Sequence, residues 1–384
     1  MRIVSEGVIC RDPSRNVYMP VIAELSDGRL IAAQHTGSAL AAPDNRLEVL
    51  FSSDQGASWT DPVCMHSQAG HEDRAAASGE WAYRAPDLQL ADDGTLLMQA
   101  TRFENTSQPL FDPDSEALQR AEMLLYRSAD SGETWQPPEV VPVDLPPEKY
   151  TWNSTGRLEL LSPERWLYHF ETWKPAGWAG PPDQKAGMVV STDRGHTWTG
   201  PFILADDTTG EKLYWDRMNC RLTDGRLYGM CWTHHYGTSA DFPVHWSVSD
   251  DEGHTWSEPR PTNISGQVCS PITLPDGGVA AIYNDRTSST QGIRLARSTD
   301  LETFDIDNQL TLFSAGEEAS LGTTDHENFL AEHLLIAFGR PEGHLAADGT
   351  LLTYFWCTTG GVTHTRWARV RPQGGLQAVQ ASVD

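Results

Sequence analysis

Four copies of one short pattern, Ser-x-Asp-x-Gly-x-(Ser/Thr)-Trp, divide the chain into similar lengths. Their aspartates are Asp54, Asp130, Asp193 and Asp251, and a decayed fifth copy, STDLETF, keeps Asp300. In each copy the aspartate can accept hydrogen bonds from its own turn, the glycine allows a positive φ, and the tryptophan can be buried between units. A pattern that returns every 58 to 76 residues indicates a structural repeat.

A second recurring unit, two apolar stretches joined by an Asp-Gly turn, gives the number of repeats. Its aspartates are Asp27, Asp93, Asp224, Asp276 and Asp348, and a weaker copy has Pro163-Glu164 at the turn. Asp-Gly between two β-rich runs predicts a β-hairpin. Six hairpins in 384 residues leave about 64 residues each, enough for a four-stranded sheet. We therefore expect an all-β fold, a six-bladed β-propeller of four-stranded antiparallel sheets.

The two ends of the chain each contribute one strand that has no hairpin partner. The segment IVSEGVIC lies near the N-terminus, and GGVTHTRWARVRP follows the last hairpin. We expect the N-terminal strand to complete the last blade and close the ring, because closure removes exposed sheet edges. On this prediction residues 1–384 form a single propeller domain.

Composition narrows the classes of partner. With 28 basic and 53 acidic residues the formal net charge is −25, which argues against nucleic acid and against anionic membrane surfaces. The N-terminus lacks the apolar core of a signal peptide, so we expect a cytoplasmic protein or a secreted one already trimmed. The cysteines and histidines show no metal-ligand spacing. We expect neither a metal nor a cofactor, and a small-molecule or oligosaccharide substrate.

The eight-residue pattern is the Asp-box, and the chain resembles the sialidase (neuraminidase) superfamily of Asp-box, or BNR-repeat, β-propellers. The resemblance covers nearly the whole chain. It implies that the boxes are structural turns on the face away from the active site. It also implies that Trp59, Trp135, Trp198 and Trp256 are largely buried. A glycosidase that acts on carbohydrate is the activity implied.

Sorting strand ends by face gives the candidate site. If the hairpins and boxes share one face, the starts of the innermost strands and the ends of the next strands lie on the other. The catalytic candidates are Asp44, Glu171, Asp216, Asp285 and His234. The substrate-binding candidates are Tyr18, Arg84, Arg102, Arg217, His235, Tyr236, Arg286 and Arg340. Arginine forks bind carboxylates bidentately and aromatic rings suit sugar faces, so these residue types indicate a carbohydrate site. We expect Arg84, Arg217 and Arg286 to converge beside carboxylates in one central pocket.

The chain departs from the sialidase pattern at three positions. Tyr18 stands where the family has the arginine of Arg-Ile-Pro, one of three that bind the sialate carboxylate. Phe338 stands at or beside the position of the tyrosine nucleophile, and Asn219 at that of its glutamate partner. Asp44 is the nearest match to the acid/base aspartate. A phenylalanine cannot act as a nucleophile, so we expect a sialidase-like hydrolase with another sugar specificity.

Three functions therefore remain open. The first is a glycoside hydrolase, whose chemistry needs two carboxyl groups, one as acid and one as base or nucleophile. The second is a polysaccharide lyase acting on a uronic acid, with His234, His235, Tyr18 or Tyr236 as base and acid and arginine neutralising the uronate. The third is a carbohydrate-binding propeller without catalysis.

Overall fold

The regular elements of the protein are β-strands. The computed structural model describes residues 1–65, 79–106, 108–112, 114–316 and 336–372. The strands form six sheets of at least four strands each, together with one short two-stranded sheet. The described residues contain no helix long and apolar enough to span a membrane. The all-β, six-bladed fold expected from the hairpins is confirmed.

The first three blades follow one another along the chain after the N-terminal strand β1 (Arg2–Cys10). Blade 1 consists of β2 (Asn16–Glu24), β3 (Leu30–Gly37), β4 (Arg46–Ser52) and β5 (Val63–Cys64). Blade 2 consists of β6 (Trp81–Leu90), β7 (Leu96–Glu104), β10 (Ala121–Ser128) and β11 (Glu139–Val141), with a small hairpin of β8 (Phe111–Asp112) and β9 (Ala117–Leu118) inserted in it. Blade 3 consists of β12 (Thr151–Ser154), β13 (Glu159–Leu160), β14 (Trp166–Trp173), β15 (Ala186–Ser191) and β16 (Thr199–Ala205).

The last three blades repeat the same antiparallel order, and the sixth takes in the N-terminal strand. Blade 4 consists of β17 (Lys212–Arg221), β18 (Leu227–His235), β19 (His245–Ser249) and β20 (Arg260–Pro261). Blade 5 consists of β21 (Gln267–Thr273), β22 (Val279–Asp285), β23 (Gly292–Ser298) and β24 (Leu310–Ser314). Blade 6 consists of β25 (Phe338–Leu345), β26 (Leu351–Thr359), β27 (Val362–Arg371) and β1. Because β1 pairs antiparallel with β27, both ends of the propeller meet in one sheet.

Each Asp-box is a turn closed by its own side chains. In the first box, the Ser58 amide donates to Asp54 Oδ1 (2.8 Å), the Ser58 hydroxyl to Oδ2 (2.6 Å), and the Gly56 amide to the Ser52 hydroxyl (2.8 Å). The other three complete boxes repeat these bonds. Gly56 has φ +92°, and a Cβ there would lie 2.8 Å from the Trp367 ring of blade 6, so this position requires glycine.

Boxes and hairpins lie on one face of the propeller. The box residue Arg194 pairs with Asp93 in the blade 2 hairpin (2.5 Å), and the box residue Glu133 pairs with Arg29 in the blade 1 hairpin (3.0 Å). These ion pairs join neighbouring blades. The opposite face therefore carries the starts of the innermost strands and the ends of the second strands.

The innermost strands bend sharply near that opposite face. In five blades one residue that is not glycine has a positive φ there: Met19 (49°), Ala85 (53°), Asp216 (46°), Val268 (43°) and Arg340 (39°). Each lies eight residues before the aspartate of its hairpin, and the pairing register shifts beside it. These are β-bulges, which redirect side chains, and the backbone strain of such residues is typical of functional sites. The bulges form a ring around the propeller axis.

Candidate active site

The ring of bulges encloses a cavity on the axis, and several blades supply a polar or charged side chain to it. Its lining includes Arg84 of β6, Glu171 of β14, Asp216 of β17 and Arg340 of β25. Arg286, which directly follows β22, lies close enough to Asp216 to affect its pKa. The bulges at Asp216 and Arg340 turn these two side chains toward the axis.

Glu171 is the most deeply buried carboxyl group of this cavity, with 2% of its surface exposed. Its Oε1 accepts hydrogen bonds from the Trp173 indole (2.8 Å) and the Asn153 amide (3.0 Å), and its Oε2 accepts one from the Asp216 backbone N–H (2.7 Å). Burial raises the pKa of Glu171 to about 8, and the adjacent Asp216 carboxylate adds to that rise although the three bonds oppose it. A carboxylic acid that keeps its proton near neutral pH can act as a general acid.

Asp216 lies in a different electrostatic environment. Burial raises the pKa of its carboxyl above the ordinary value, and Arg340, Arg286 and Arg84 limit that rise, in that order of influence. Three nearby positive charges favour the ionised form. Glu171 and Asp216 are therefore two neighbouring carboxyl groups in different surroundings: burial and a neighbouring carboxylate favour the protonated form of Glu171, whereas three arginines favour the ionised form of Asp216.

The three arginines are crowded and incompletely paired. Arg286 donates to the Gln267 side chain (2.8 Å) and to the Phe338 carbonyl, whereas Arg340 donates to Glu342 (2.6 Å). Each guanidinium has one buried nitrogen without a hydrogen-bond partner among the described residues. These nitrogens are Nε of Arg84, Nε of Arg286 and Nη2 of Arg340. Burial lowers the pKa of Arg84 and of Arg286 to about 10, and Arg340 adds to the effect on Arg84. An anionic ligand would relieve both the missing bonds and the repulsion.

An aromatic wall borders Glu171. Trp173 is stacked on Trp215 at 5.8 Å with an interplanar angle of 4°, and Trp232 meets Trp215 edge-on at 4.8 Å. Phe111, carried by the small β8–β9 hairpin, contacts Trp173 edge-on at 5.0 Å. All four rings line the cavity. Such rings can pack against the apolar face of a sugar.

Asp44, in a loop, and Asp285, the last residue of β22, are both absent from the lining of the cavity. Asp44 is exposed and accepts bonds from the Ser38 amide (3.0 Å) and hydroxyl (2.9 Å). Asp285 accepts bonds from the Ser288 amide (3.1 Å) and hydroxyl (2.6 Å) and faces Arg294 at 3.4 Å. Both carboxylates are engaged in closing turns, and neither contacts Glu171 or Asp216 in the residues described.

His234 is buried beside the aromatic wall and belongs to a polar chain that leads to the arginines. Its Nδ1 lies 2.9 Å from Asp241 Oδ1, and its ring is stacked on Trp215 at 4.9 Å. Asp241 also accepts a bond from Gln267 (2.7 Å), which in turn accepts one from Arg286 (2.8 Å). His234 is thus connected to the site through these side chains.

The substrate-binding candidates His235, Tyr236 and Tyr18 differ in burial and in hydrogen-bond partners. His235 is partly exposed and lies 3.6 Å from Glu211. The Tyr236 hydroxyl donates to Glu116 over 3.4 Å. Tyr18 precedes the blade 1 bulge and is 6% exposed, and burial raises its pKa to about 12. Tyr18 is therefore the nearest of the three to the ring of bulges.

Arg217 and Arg102 point away from the axis. The expectation that Arg217 converges with Arg84 and Arg286 in the central pocket is therefore wrong. Arg217 is 1% exposed, donates to Asn219 (3.1 Å) and lies over the ring of Trp256 at 4.2 Å. The bulge turns Asp216 inward and so sends the next side chain into the blade. Arg102 pairs with Glu122 at 2.7 Å. The third arginine of the cavity is Arg340.

Two further buried acids, Asp87 and Glu342, were not among the catalytic or substrate-binding candidates expected from the sequence. Each directly follows a proline, Pro86 or Pro341, that lies seven residues before the aspartate of the hairpin. Aligning the blades on that proline would have identified both as equivalent positions. Among the described residues no group of three or more His, Cys, Asp or Glu side chains could hold a metal ion.

Comparison with known proteins agrees with this architecture. Residues 119–305 match the family model described as a BNR repeat-like domain. This match covers just under half of the chain, and it agrees with the Asp-boxes of the six-bladed β-propeller described above. No curated protein sequence matches the chain.

Several solved structures share the fold of this chain at low sequence identity. A protein of unknown function from Dyadobacter fermentans has a TM-score of 0.72 at 20% identity, over 96% of this chain and 98% of that one. The Hadza microbial sialidase Hz136 has a TM-score of 0.63 at 16% identity, over 93% and 66%. An α-L-arabinanase from Penicillium chrysogenum, complexed with arabinobiose, has a TM-score of 0.62 at 14% identity, over 97% and 99%.

Proposed function

We propose that this protein is a glycoside hydrolase whose substrate sugar carries a carboxylate. The observation that supports the proposal is the meeting of two carboxyl groups, Glu171 and Asp216, with three arginines that each keep one buried nitrogen unpartnered. Glycoside hydrolysis needs two carboxyl groups, and arginine is the side chain best suited to a carboxylate ligand. The similar folds of a sialidase and an arabinanase add support for a carbohydrate substrate.

The surroundings of the two carboxyl groups assign their roles. Glu171 keeps its proton through burial and donates it to the glycosidic oxygen as the bond to the leaving group breaks. Asp216, whose ionised form the three arginines favour, acts as the base or the nucleophile at the anomeric carbon. The Trp173 and Asn153 bonds fix the orientation of Glu171. Arg84, Arg286 and Arg340 bind the sugar carboxylate and hold the ring over this pair.

An activity screen tests the proposal. Aryl glycosides of glucuronate, galacturonate and N-acetylneuraminate are compared with those of glucose and arabinose, and we expect turnover of an acidic sugar. Glu171→Gln and Asp216→Asn should each lower kcat by roughly a thousandfold or more, because each removes a group acting in the transition state. Hydrolysis of neutral glycosides alone would contradict the role given to the arginines.

A uronate lyase is the second candidate, because His234 is held by Asp241 in the manner of an oriented general base. The two reactions leave different products. A lyase produces an unsaturated sugar with ultraviolet absorbance, whereas a hydrolase produces only a new reducing end. Incubation with oligouronides, assayed for both ultraviolet absorbance and new reducing ends, distinguishes the lyase from the hydrolase. Tight binding without either product would indicate a carbohydrate-binding protein.

A further inference from the structure

Directly below the arginines of the site, two buried carboxyl groups lie on the propeller axis. Asp87 of β6 and Glu342 of β25 are each 2% exposed. Each lies two residues after the positive-φ residue of its strand, Ala85 or Arg340. They therefore belong to the same layer of the propeller, one step further from the substrate face than the bulges.

The same layer in other blades holds uncharged side chains. Two residues after their bulges, β2 has Val21, β17 has Met218 and β21 has Ser270. The fold thus tolerates apolar or small neutral residues here. A buried ion pair is in general no more stabilising than apolar residues of similar volume. Overall stability alone therefore does not explain why blades 2 and 6 place carboxyl groups in this layer.

The contacts of Glu342 give a different reason. Its Oε1 accepts a hydrogen bond from Arg340 Nε over 2.6 Å, and both side chains are less than a tenth exposed. Arg340 Nη1 has only the Met19 sulfur at 3.7 Å, and Nη2 has no partner among the described residues. The bond to Glu342 is thus the strong contact that orients the guanidinium, and it leaves Nη2 for a ligand.

Asp87 lies against Glu342 from the other side. Burial raises the pKa of Asp87 well above its ordinary value, and the neighbouring Glu342 carboxylate raises it further. Arg157 Nε lies 3.9 Å from Asp87 Oδ1. Contacts thus link Arg340 to Glu342, Glu342 to Asp87, and Asp87 to Arg157.

We propose that Glu342 is a positioning residue that holds Arg340 in its substrate-binding orientation, and that Asp87 supports Glu342 from below. The inference rests on the proposed function, because it assigns Arg340 to the carboxylate of the substrate. Neither acid touches the substrate. A fixed guanidinium loses less conformational freedom when the ligand binds, so removal of the orienting bond weakens binding before it affects the chemical step.

Glu342→Gln tests the proposal, because it keeps the shape of the side chain and removes its charge. We expect KM for the acidic glycoside to rise roughly ten- to a hundredfold, with a smaller change in kcat. A crystal structure of the variant should show the Arg340 guanidinium displaced from the axis. Glu48→Gln is the matched control, since Glu48 is 6% exposed and pairs with Arg15 in blade 1. It should leave KM and the Arg340 orientation unchanged.

A second variant covers the case in which Glu342→Gln does not fold. Glu342→Asp keeps the charge but withdraws the carboxylate by one methylene group, and we expect it to displace Arg340 and raise KM. An unchanged Arg340 orientation in either variant would overturn the proposal. If the wild type hydrolyses no acidic glycoside, the proposed function fails. The crystallographic position of Arg340 then still decides whether Glu342 orients it.

Discussion

Replacing Glu171 by glutamine should make the stability of the protein less dependent on pH while abolishing turnover. Burial raises the pKa of Glu171 from 4.5 to about 8, so the folded state holds a proton that the unfolded chain releases above pH 4.5. Because the folded state then binds more protons, stability falls as pH rises from 4.5 to 8. The loss is about 3 kcal/mol at pH 7 and up to about 5 kcal/mol above pH 8. Glutamine has no proton to lose.

The comparison to make is the difference in unfolding free energy between wild type and Glu171→Gln, measured by denaturant titration from about pH 5 to about pH 9. At low pH the variant should be less stable by about 1–3 kcal/mol, because its amide nitrogen, placed where Glu171 has Oε2, cannot accept the bond from the Asp216 backbone N–H. That deficit should shrink, and then reverse, toward high pH. Trp135→Ala removes no titrating group and should shift stability by a nearly constant amount. A Glu171→Gln difference equally independent of pH would refute the assignment of Glu171 as a buried neutral acid.

Three further changes test the fold and the site. Trp135 is 2% exposed, so Trp135→Ala should cost about 3–5 kcal/mol, whereas Trp198→Ala at a partly exposed box should cost less, as measured by denaturant unfolding. An equal loss of unfolding free energy in the two variants would show that burial of the indole does not determine its contribution to stability. Gly7→Val should destabilise the protein by about 1–3 kcal/mol and so lower Tm, because a Cβ at Gly7 would lie 2.8 Å from the Trp367 ring. Val8→Ala, at the exposed neighbouring residue, is the control and should leave Tm nearly unchanged. Arg84→Gln should raise KM for an acidic glycoside at least tenfold and leave Tm nearly unchanged, and an unaltered KM would remove Arg84 from the binding site.

The architecture could be predicted from the sequence because its signals are local. An Asp-Gly hairpin and an Asp-box each fix a turn through the residues of that turn, and Asp54 shows this by bonding only within its own box. Burial of the box tryptophans depends on neighbouring blades and was predicted less well. Trp135 is buried as expected, whereas Trp59, Trp198 and Trp256 are half-buried.

The positions of the candidate side chains could be predicted in part, because strand ends can be counted from the hairpins. Glu171, Asp216, Arg84 and Arg340 line one cavity, and Arg286 lies near Asp216. The sequence could not show which of two adjacent side chains faces the axis, because a bulge shifts the alternation of side chains along the strand. The bulge residues share no side-chain chemistry that would mark them.

The two faces of the propeller differ in whether their charged side chains have hydrogen-bond partners within the protein. On the box face, turn aspartates have their bonds supplied within the same turn, so that face needs no ligand to be stable. On the other face, Arg84, Arg286 and Arg340 each keep one buried nitrogen without a partner among the described residues. Backbone strain does not distinguish the faces, because box residues such as Gln55 and Ser131 also have positive φ. A ligand carboxylate that accepts bonds from these arginines, as proposed above, should therefore stabilise the folded protein.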